Sequence, residues 1–423
     1  MYMKNIFNKI NNSLSKIYYH FSNKTYFLLL MFNFALFLFL YKDNVFYLNK
    51  NLWQTKELLI NYSYGFVRRG LLGSLTHLIY NNTVLNFATA AKIVQSIGLL
   101  LFTLAILLFF ASLLKIENEK SFCFIVLLFI SLHFWGFQLK QFGLFDTYMI
   151  AITLLIVYLI TVDKALFLVP ILAAICTLIH EGYPAMFFAV IISLLIYKFS
   201  YAKNRKMQHV YIVIFLSTCL AVGFLFVYFY FINPRIKTTD TESIMSYFKE
   251  LLGITDTSEI KYMWFDGTIE PNSVLTQGLM WINGKPTPVF FKLFTIFLLN
   301  TVICTPLIYM TVKYWHDTVK AEQSKHRRML LLFSALTIFL IVPLIIIHCD
   351  QGRWFYDIIF FEIVMIGSMF KLNYNNERKI LSEITKPTIT KLLLLVFYFI
   401  FYFNHYVTQL GVISKYFLPI FNS

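Results

Sequence analysis

The chain has 423 residues, of which 59% are hydrophobic and only 13% are charged. Soluble globular proteins carry roughly twice that charged fraction, so the composition excludes an ordinary soluble domain. The formal net charge of +15 does not require nucleic acid, because lysine and arginine in a membrane protein mainly mark its cytoplasmic loops. The five cysteines show no metal-binding spacing, and we expect no disulfide framework, metal or cofactor.

Long apolar runs recur along the whole sequence, at about the length that lets a helix satisfy its own backbone across a bilayer. They predict an all-α fold: one integral membrane domain over 1–423, a polytopic helical bundle of about eleven transmembrane helices. The predicted spans are 26–41, 93–114, 121–137, 147–162, 165–179, 183–197, 210–232, 291–312, 329–347, 355–370 and 392–409.

Basic residues set the predicted orientation. More than half of the lysines and arginines fall in the N-terminal tail and in five compact loops, which are therefore placed in the cytoplasm together with the N-terminus. Two long segments, 42–92 and 233–290, then lie outside. The second has proline, glycine and aromatic residues typical of a folded lid.

The first outer segment contains a predicted amphipathic helix lying in the membrane interface, over residues 66–80. The apolar positions Val67, Leu71, Leu75 and Leu78 fall at helical spacing. Between Val67 and Leu71 stand the adjacent residues Arg68 and Arg69, among glycines that would let a ligand approach the backbone. Arginine presents a fork of donors suited to a phosphate or diphosphate. The alternative is that both residues anchor the helix to lipid headgroups.

A second polar signal is His180-Glu181-Gly182, between two short apolar runs. Ionisable groups at membrane depth indicate a pathway or an active site. Either His180 or Glu181 is suited to take a proton from an attacking hydroxyl, and Asp146, at the outer end of another span, is the reserve. The structural alternative is a helix cap or a hydrogen bond.

A third cluster follows the span that ends near residue 347. Arg353 is another candidate phosphate ligand, although its spacing from Asp357 also fits an ion pair on one helix face. Asp350 either caps the helix or belongs to the same site. Glu362 lies deeper and is either a hydrogen-bonding residue of the bundle or part of the site. All three clusters fall on the predicted outer side, which favours one shared cavity.

The segment Phe-Val-Arg-Arg-Gly-Leu-Leu-Gly at 66–73, the turn His-Glu-Gly at 180–182 and the link Gln-Gly-Arg-Trp at 351–354 resemble bacterial O-antigen and capsular polysaccharide repeat-unit polymerases. The resemblance implies a glycosyltransferase in the bacterial inner membrane, with its active site facing outward. Its substrate would be an oligosaccharide on a polyprenyl diphosphate, transferred onto the next lipid-linked unit. A chain-length regulator and membrane lipids would be partners.

In such an enzyme the arginines would bind the diphosphate leaving group, and His180, Glu181 or Asp146 would accept the hydroxyl proton. Three aromatic residues are expected to stack on sugar rings: Tyr64, Trp264 and Trp354.

Two other functions are compatible with the sequence. Multispanning transferases that use polyprenyl-phosphate sugars usually place an acidic residue in the loop after the first helix. Here that loop offers Asp43 and Glu57, neither in an acidic pair, which favours the polymerase. A transporter or flippase would normally show inverted repeats, and no partner for the short pair at 165–197 is evident in the sequence.

Overall fold

The computed structural model describes residues 23–46, 53–115, 137–140, 142–232, 240–254, 308–342 and 351–385, together with residues 261 and 305. Every regular element in these ranges is helical. The longer helices are α1 (Asn23–Leu40), α2 (Gly70–Asn81), α3 (Phe87–Leu114), α4 (Asp146–Val162), α5 (Leu168–Ile179), α6 (Phe188–Ser200), α7 (Arg205–Val227), α8 (Thr241–Leu252), a helical segment at 308–321, α9 (Lys325–Leu336), α10 (Gln351–Leu372) and α11 (Glu377–Thr385).

Short elements join them. Single helical turns lie at Lys42–Phe46, Trp53–Glu57, Phe137–Lys140 and Tyr183–Met186, and 3₁₀ turns at Tyr62–Tyr64 and Thr337–Ile341. The end of α7 continues into a π-helical turn, Tyr228–Ile232.

Polar caps decide where several helices begin. Asn86 accepts a hydrogen bond from the Thr89 amide at 2.8 Å, so α3 starts about two turns earlier than its apolar run suggests. Asn204 caps α7 in the same way through the Met207 amide. These caps satisfy amides that would otherwise lack partners at a helix start.

Two of the described helices, α3 and α7, are long and apolar enough to cross a membrane. Shorter apolar helices cover Phe27–Leu40, α4, α5 and α6. The predicted spans at 121–137 and 392–409 lie outside the described residues, as does most of the span at 291–312.

Helices α3, α4 and α5 pack in sequence, and α6 joins them to α7, α9 and α10. Helices α3 and α4 run parallel, since the Tyr148 hydroxyl near the start of α4 donates to the Val94 carbonyl near the start of α3, whereas α4 and α5 run antiparallel. The Cys176 thiol near the end of α5 lies 4.0 Å from the carbonyl of Met149. The bundle therefore has two defined ends. We call the end holding residues 68–69 and 180–181 the arginine end, and the end holding residues 163 and 197–201 the tyrosine end.

Helix α2 differs from its prediction in where it begins. It begins at Gly70, not Phe66, so both arginines precede it. Its small and polar face packs against the protein, since Gly73 and Thr76 are buried, whereas Leu75 and Leu78 of the apolar face are exposed. A Cβ at residue 73 would lie 1.7 Å from the Ile60 carbonyl oxygen, so close backbone packing determines which face is buried.

Candidate functional site

The two arginines lie in a turn whose backbone brings both side chains to one acid. Arg69 has a left-handed conformation with φ of 58°, which is uncommon for a residue other than glycine. Successive residues on a regular helix diverge. Here Arg68 and Arg69 both reach Glu181, Arg68 through an Nη1 to Oε1 distance of 3.6 Å. Strained backbone of this kind persists where surrounding contacts hold it in place.

Arg69 binds two carboxylates. Its Nε donates to both oxygens of Glu181, at 3.1 and 2.9 Å, and its Nη2 donates to Oε1 at 2.8 Å. Its Nη1 donates to Glu57, which comes from the single helical turn that precedes the arginines. The guanidinium fork therefore joins a segment before α2 to the turn after α5. We call Glu57, Arg68, Arg69 and Glu181 the Arg–Glu cluster.

All four residues of the Arg–Glu cluster are buried, with Glu181 only 1% exposed. Burial by itself raises the pKa of the Glu181 carboxyl, but the Arg69 guanidinium, His180 and Arg68 together hold that pKa well below its ordinary value. Glu181 is consequently ionised throughout the physiological range. A carboxylate with so low a pKa is a weak base, so these contacts favour Glu181 as a holder of arginines over Glu181 as a proton acceptor.

His180 caps the end of α5, and its ring is oriented by the backbone. The Gly182 amide donates to Nδ1 at 2.9 Å, so in this arrangement Nδ1 is an acceptor and the neutral ring carries its hydrogen on Nε2. Nδ1 also lies 3.7 Å from Oε2 of Glu181. The ring thus offers an Nε2–H donor, and accepting a proton at Nδ1 would require the Gly182 contact to break.

Asp146 lies at the same end of the bundle. It is fully buried in the first turn of α4, where the helix dipole favours an acid. The antiparallel packing of α4 on α5 sets the start of α4 beside the end of α5. The structure therefore places the predicted bases His180, Glu181 and Asp146 at one end, together with Arg68 and Arg69.

The third predicted cluster is described in part. Asp357 is fully buried one turn before Phe360, whose ring lies 5.2 Å from that of Phe187, so this part of α10 also reaches the arginine end. Glu362, deeper in α10, accepts a hydrogen bond from Nε1 of Trp315 at 3.2 Å. The remaining predicted residues fall outside the described part of the chain: Asp350 and Trp264 entirely, and Arg353 and Trp354 in their side chains.

Tyr64 is half-buried, and its ring packs edge-on against Phe248 of α8 at 5.8 Å. Helix α8 thus brings part of the 233–290 segment to the arginine end. The glycines have different neighbours from those expected for a phosphate cradle: a Cβ at Gly70 would meet the Tyr62 ring at 2.6 Å, whereas Gly65 has nothing within 4 Å. Only Gly65 leaves backbone open to a ligand among these positions.

Sequence reasoning missed the part that Glu57 plays. It lies in a segment whose described residues from Thr55 to Ile60 are all buried, although the segment has no long apolar run. Gln95 of α3 donates to the Thr55 hydroxyl at 3.4 Å, which adds another buried polar contact there. The available signal in the sequence was an acidic residue, Glu57, in the same loop as the paired arginines.

Comparison with protein-family models, with curated proteins and with solved structures finds no match for this chain.

Proposed function

We propose that the chain is an integral membrane glycosyltransferase that transfers a glycan from a polyprenyl diphosphate onto the next lipid-linked unit, as a polysaccharide polymerase does. The observation that carries the proposal is the Arg–Glu cluster, in which two adjacent arginines are buried at one end of an apolar bundle. Buried arginines of this kind are suited to a diphosphate because each offers a rigid fork of donors.

In the proposed reaction, an acceptor hydroxyl forms a bond to the anomeric carbon of the donor glycan, and the bond from that carbon to the diphosphate oxygen breaks. The departing diphosphate gains negative charge, which Arg68 and Arg69 stabilise. Glu57 and Glu181 hold the Arg69 guanidinium before substrate arrives. Arg68, with its longer 3.6 Å approach to Glu181, is the arginine more readily redirected to the substrate.

The hydroxyl proton goes to a base at the same end. Glu181 is disfavoured by its arginine contacts, and His180 by the Gly182 amide at Nδ1. We therefore assign the proton to Asp146, with His180 donating through Nε2 to the diphosphate. This assignment reverses the order in which the sequence ranked the candidates.

Glu57 also supports a second candidate, a transferase that uses a polyprenyl-monophosphate sugar. Such enzymes are expected to carry an acid in the loop after the first helix, and Glu57 stands in that loop and binds Arg69. The two candidates differ in their donor: a diphosphate-linked oligosaccharide against a monophosphate-linked single sugar.

The test supplies purified protein in lipid nanodiscs with each donor. The polymerase predicts a ladder of longer lipid-linked products from the diphosphate-linked oligosaccharide alone. Arg68→Ala removes one fork of donors, and Arg69→Lys replaces the other with a point charge, which does not do the same work. Each variant should therefore reduce the ladder by at least about tenfold. Arg205→Ala, at an exposed position, is the matched control and should keep full activity.

The polymerase proposal fails if the diphosphate donor yields no ladder with the correct repeat unit, or if Arg69→Ala remains fully active. The second candidate would be established instead if the protein used only the monophosphate donor and if Glu57→Gln abolished that activity. The helical circular dichroism of each variant, measured separately, distinguishes loss of the site from loss of fold.

A further inference from the structure

A groove with a basic mouth lies near the tyrosine end, far from the Arg–Glu cluster. It runs between the helical segment 308–321 and α9, which are joined by the short link 322–324 and form a hairpin. The cavity has a volume of about 510 Å³. Its lining residues come from both helices: Trp315, His316, Val319, Lys320, Arg328, Leu332 and Ala335.

The groove changes character along its length. Lys320 and Arg328 flank the link, so both cations stand at the mouth. Trp315 and Val319 on one helix, and Leu332 and Ala335 on the other, continue away from the link at helical spacing and are apolar. Below them α9 exposes further apolar side chains, including Phe333 and Leu336. A cationic mouth above an apolar channel fits an amphiphile with an anionic head.

The acids near the mouth face elsewhere. Glu322, in the link itself, accepts from the Tyr201 hydroxyl at 2.6 Å and from the Ser324 amide at 2.9 Å. Asp317 binds Lys313 at 2.9 Å and His316 at 3.0 Å. Of the basic lining residues, His316 is therefore matched by an acid, and the charge at the mouth comes from the other two.

Arg328 is held in place by the link. Its Nε and Nη2 donate to the Glu322 carbonyl, at 3.3 and 2.7 Å. This bond fixes the guanidinium beside the mouth without neutralising it, because a carbonyl carries no formal charge. Lys320 is exposed, and no acid among the described residues pairs with it.

We propose that this groove binds an anionic phospholipid, with the phosphate of the headgroup on Lys320 and Arg328 and one acyl chain along Trp315, Val319 and Leu332. Basic pockets between membrane helices favour anionic headgroups, and each lysine or arginine near a membrane surface attracts them. The site requires that the chain lie in a membrane, but it does not depend on the proposed glycosyl transfer. Its failure and the failure of that enzymatic proposal are thus separate results.

The experiment measures lipid binding to the full chain in mild detergent by native mass spectrometry, with phosphatidylglycerol and phosphatidylcholine as the two probes. The wild-type chain should retain phosphatidylglycerol preferentially. Lys320→Ala should weaken its binding about fivefold, the factor for about 1 kcal/mol per surface cation, and Lys320→Glu should weaken it further. The Lys320 side chain is exposed and makes no hydrogen bond or ion pair with the described residues, so these variants should fold normally.

The matched control is the double variant Lys203→Ala/Lys206→Ala, which removes two exposed charges outside the groove and should retain the preference. Equal retention of the two lipids by the wild-type chain would overturn the proposal. So would a loss in Lys320→Glu no greater than that in the control. Inorganic phosphate should not displace the lipid at equal concentration, since it lacks the acyl chain; if it does, the site is a phosphate site and the lipid assignment is wrong.

Discussion

The two ends of the bundle handle buried charge in opposite ways. At the arginine end, Arg69 binds two carboxylates through full ion pairs, and Arg68 approaches one of them. At the tyrosine end, most acids are met by hydroxyls: Tyr201 donates to Glu322, and Tyr197 donates to Glu377. Asp163 is an exception at the tyrosine end, because it accepts from the Tyr211 hydroxyl at 2.6 Å and also pairs with Lys198 at 2.8 Å. Ion pairs between arginine and glutamate thus characterise one end, and hydroxyl contacts characterise the other.

The difference shows which end can change its partners. A tyrosine hydroxyl carries no positive charge with which to attract an anionic ligand, and the rings of Tyr197 and Tyr374 also stack at 5.6 Å. These contacts tie α6, α10 and α11 together. An arginine shared between two acids can exchange one anion for another at modest cost, which a substrate-binding end requires. The proposed exchange of ligands belongs to the arginine end, and the contacts of the tyrosine end fasten helices together.

The largest expected effect on stability comes from removing one acid of the Arg–Glu cluster at the arginine end. Glu181→Gln removes one of the two carboxylates of the Arg–Glu cluster, and loss of one partner from a buried ion pair costs about 3–5 kcal/mol. The free energy of unfolding, measured by SDS titration in mixed micelles, should fall by that amount. Glu242→Gln removes an exposed acid that pairs with Lys261, so it is the control and should leave the unfolding free energy unchanged. Equal behaviour of the two variants would show that the cluster does not hold the fold.

A smaller loss is expected at Glu57, because Arg69 keeps its contacts to Glu181. Glu57→Gln should lower the free energy of unfolding by about 1.5–3 kcal/mol, the range for a hydrogen bond to a charged group. The same titration measures it. Combining Glu57→Gln with Glu181→Gln should cost more than the sum of the single changes, since Arg69 then has neither acid of the cluster. Simple additivity would mean that the two acids act independently.

The tyrosine end should respond more weakly still. Tyr197→Phe removes the hydroxyl that donates to Glu377 and keeps the ring, so the expected loss is about 1 kcal/mol. Tyr158→Phe is the matched control, since its ring is half-exposed and keeps the contact with Lys371. A loss from Tyr197→Phe as large as that from Glu181→Gln would remove the proposed contrast between the ends.

Much of the helical layout could be predicted from the sequence, because an apolar run such as the one in α3 or α7 determines its own helix. The features that could not be predicted depend on contacts between residues that are far apart in the sequence. Arg69 and Glu181 are 112 positions apart, and nothing local in either segment indicates their pairing. Glu57 was visible as an acid, but only the fold brings it to Arg69.

The smallest expected effect is a pH dependence at the tyrosine end. Burial raises the pKa of Glu377 above its ordinary 4.5, while the Tyr197 hydroxyl acts in the opposite direction. Because the folded chain holds this proton more tightly than the unfolded chain, the stabilisation is complete below pH 4.5 and is lost as the pH rises through the raised pKa. The contribution of Glu377 to the slope of the unfolding free energy against pH is below about 1.4 kcal/mol per pH unit, the limit for one proton.

Glu377→Gln removes that contribution, so the difference in unfolding free energy between wild type and variant should change in this window and be flat well above it. Glu181 should add no slope there, since its pKa is held well below the ordinary value and its ion pairs are already complete. A constant difference between the wild type and Glu377→Gln across the window would contradict the raised pKa. If the slope instead follows Glu181, the arginine end is the pH-sensitive one, and the division of roles between the two ends must be reversed.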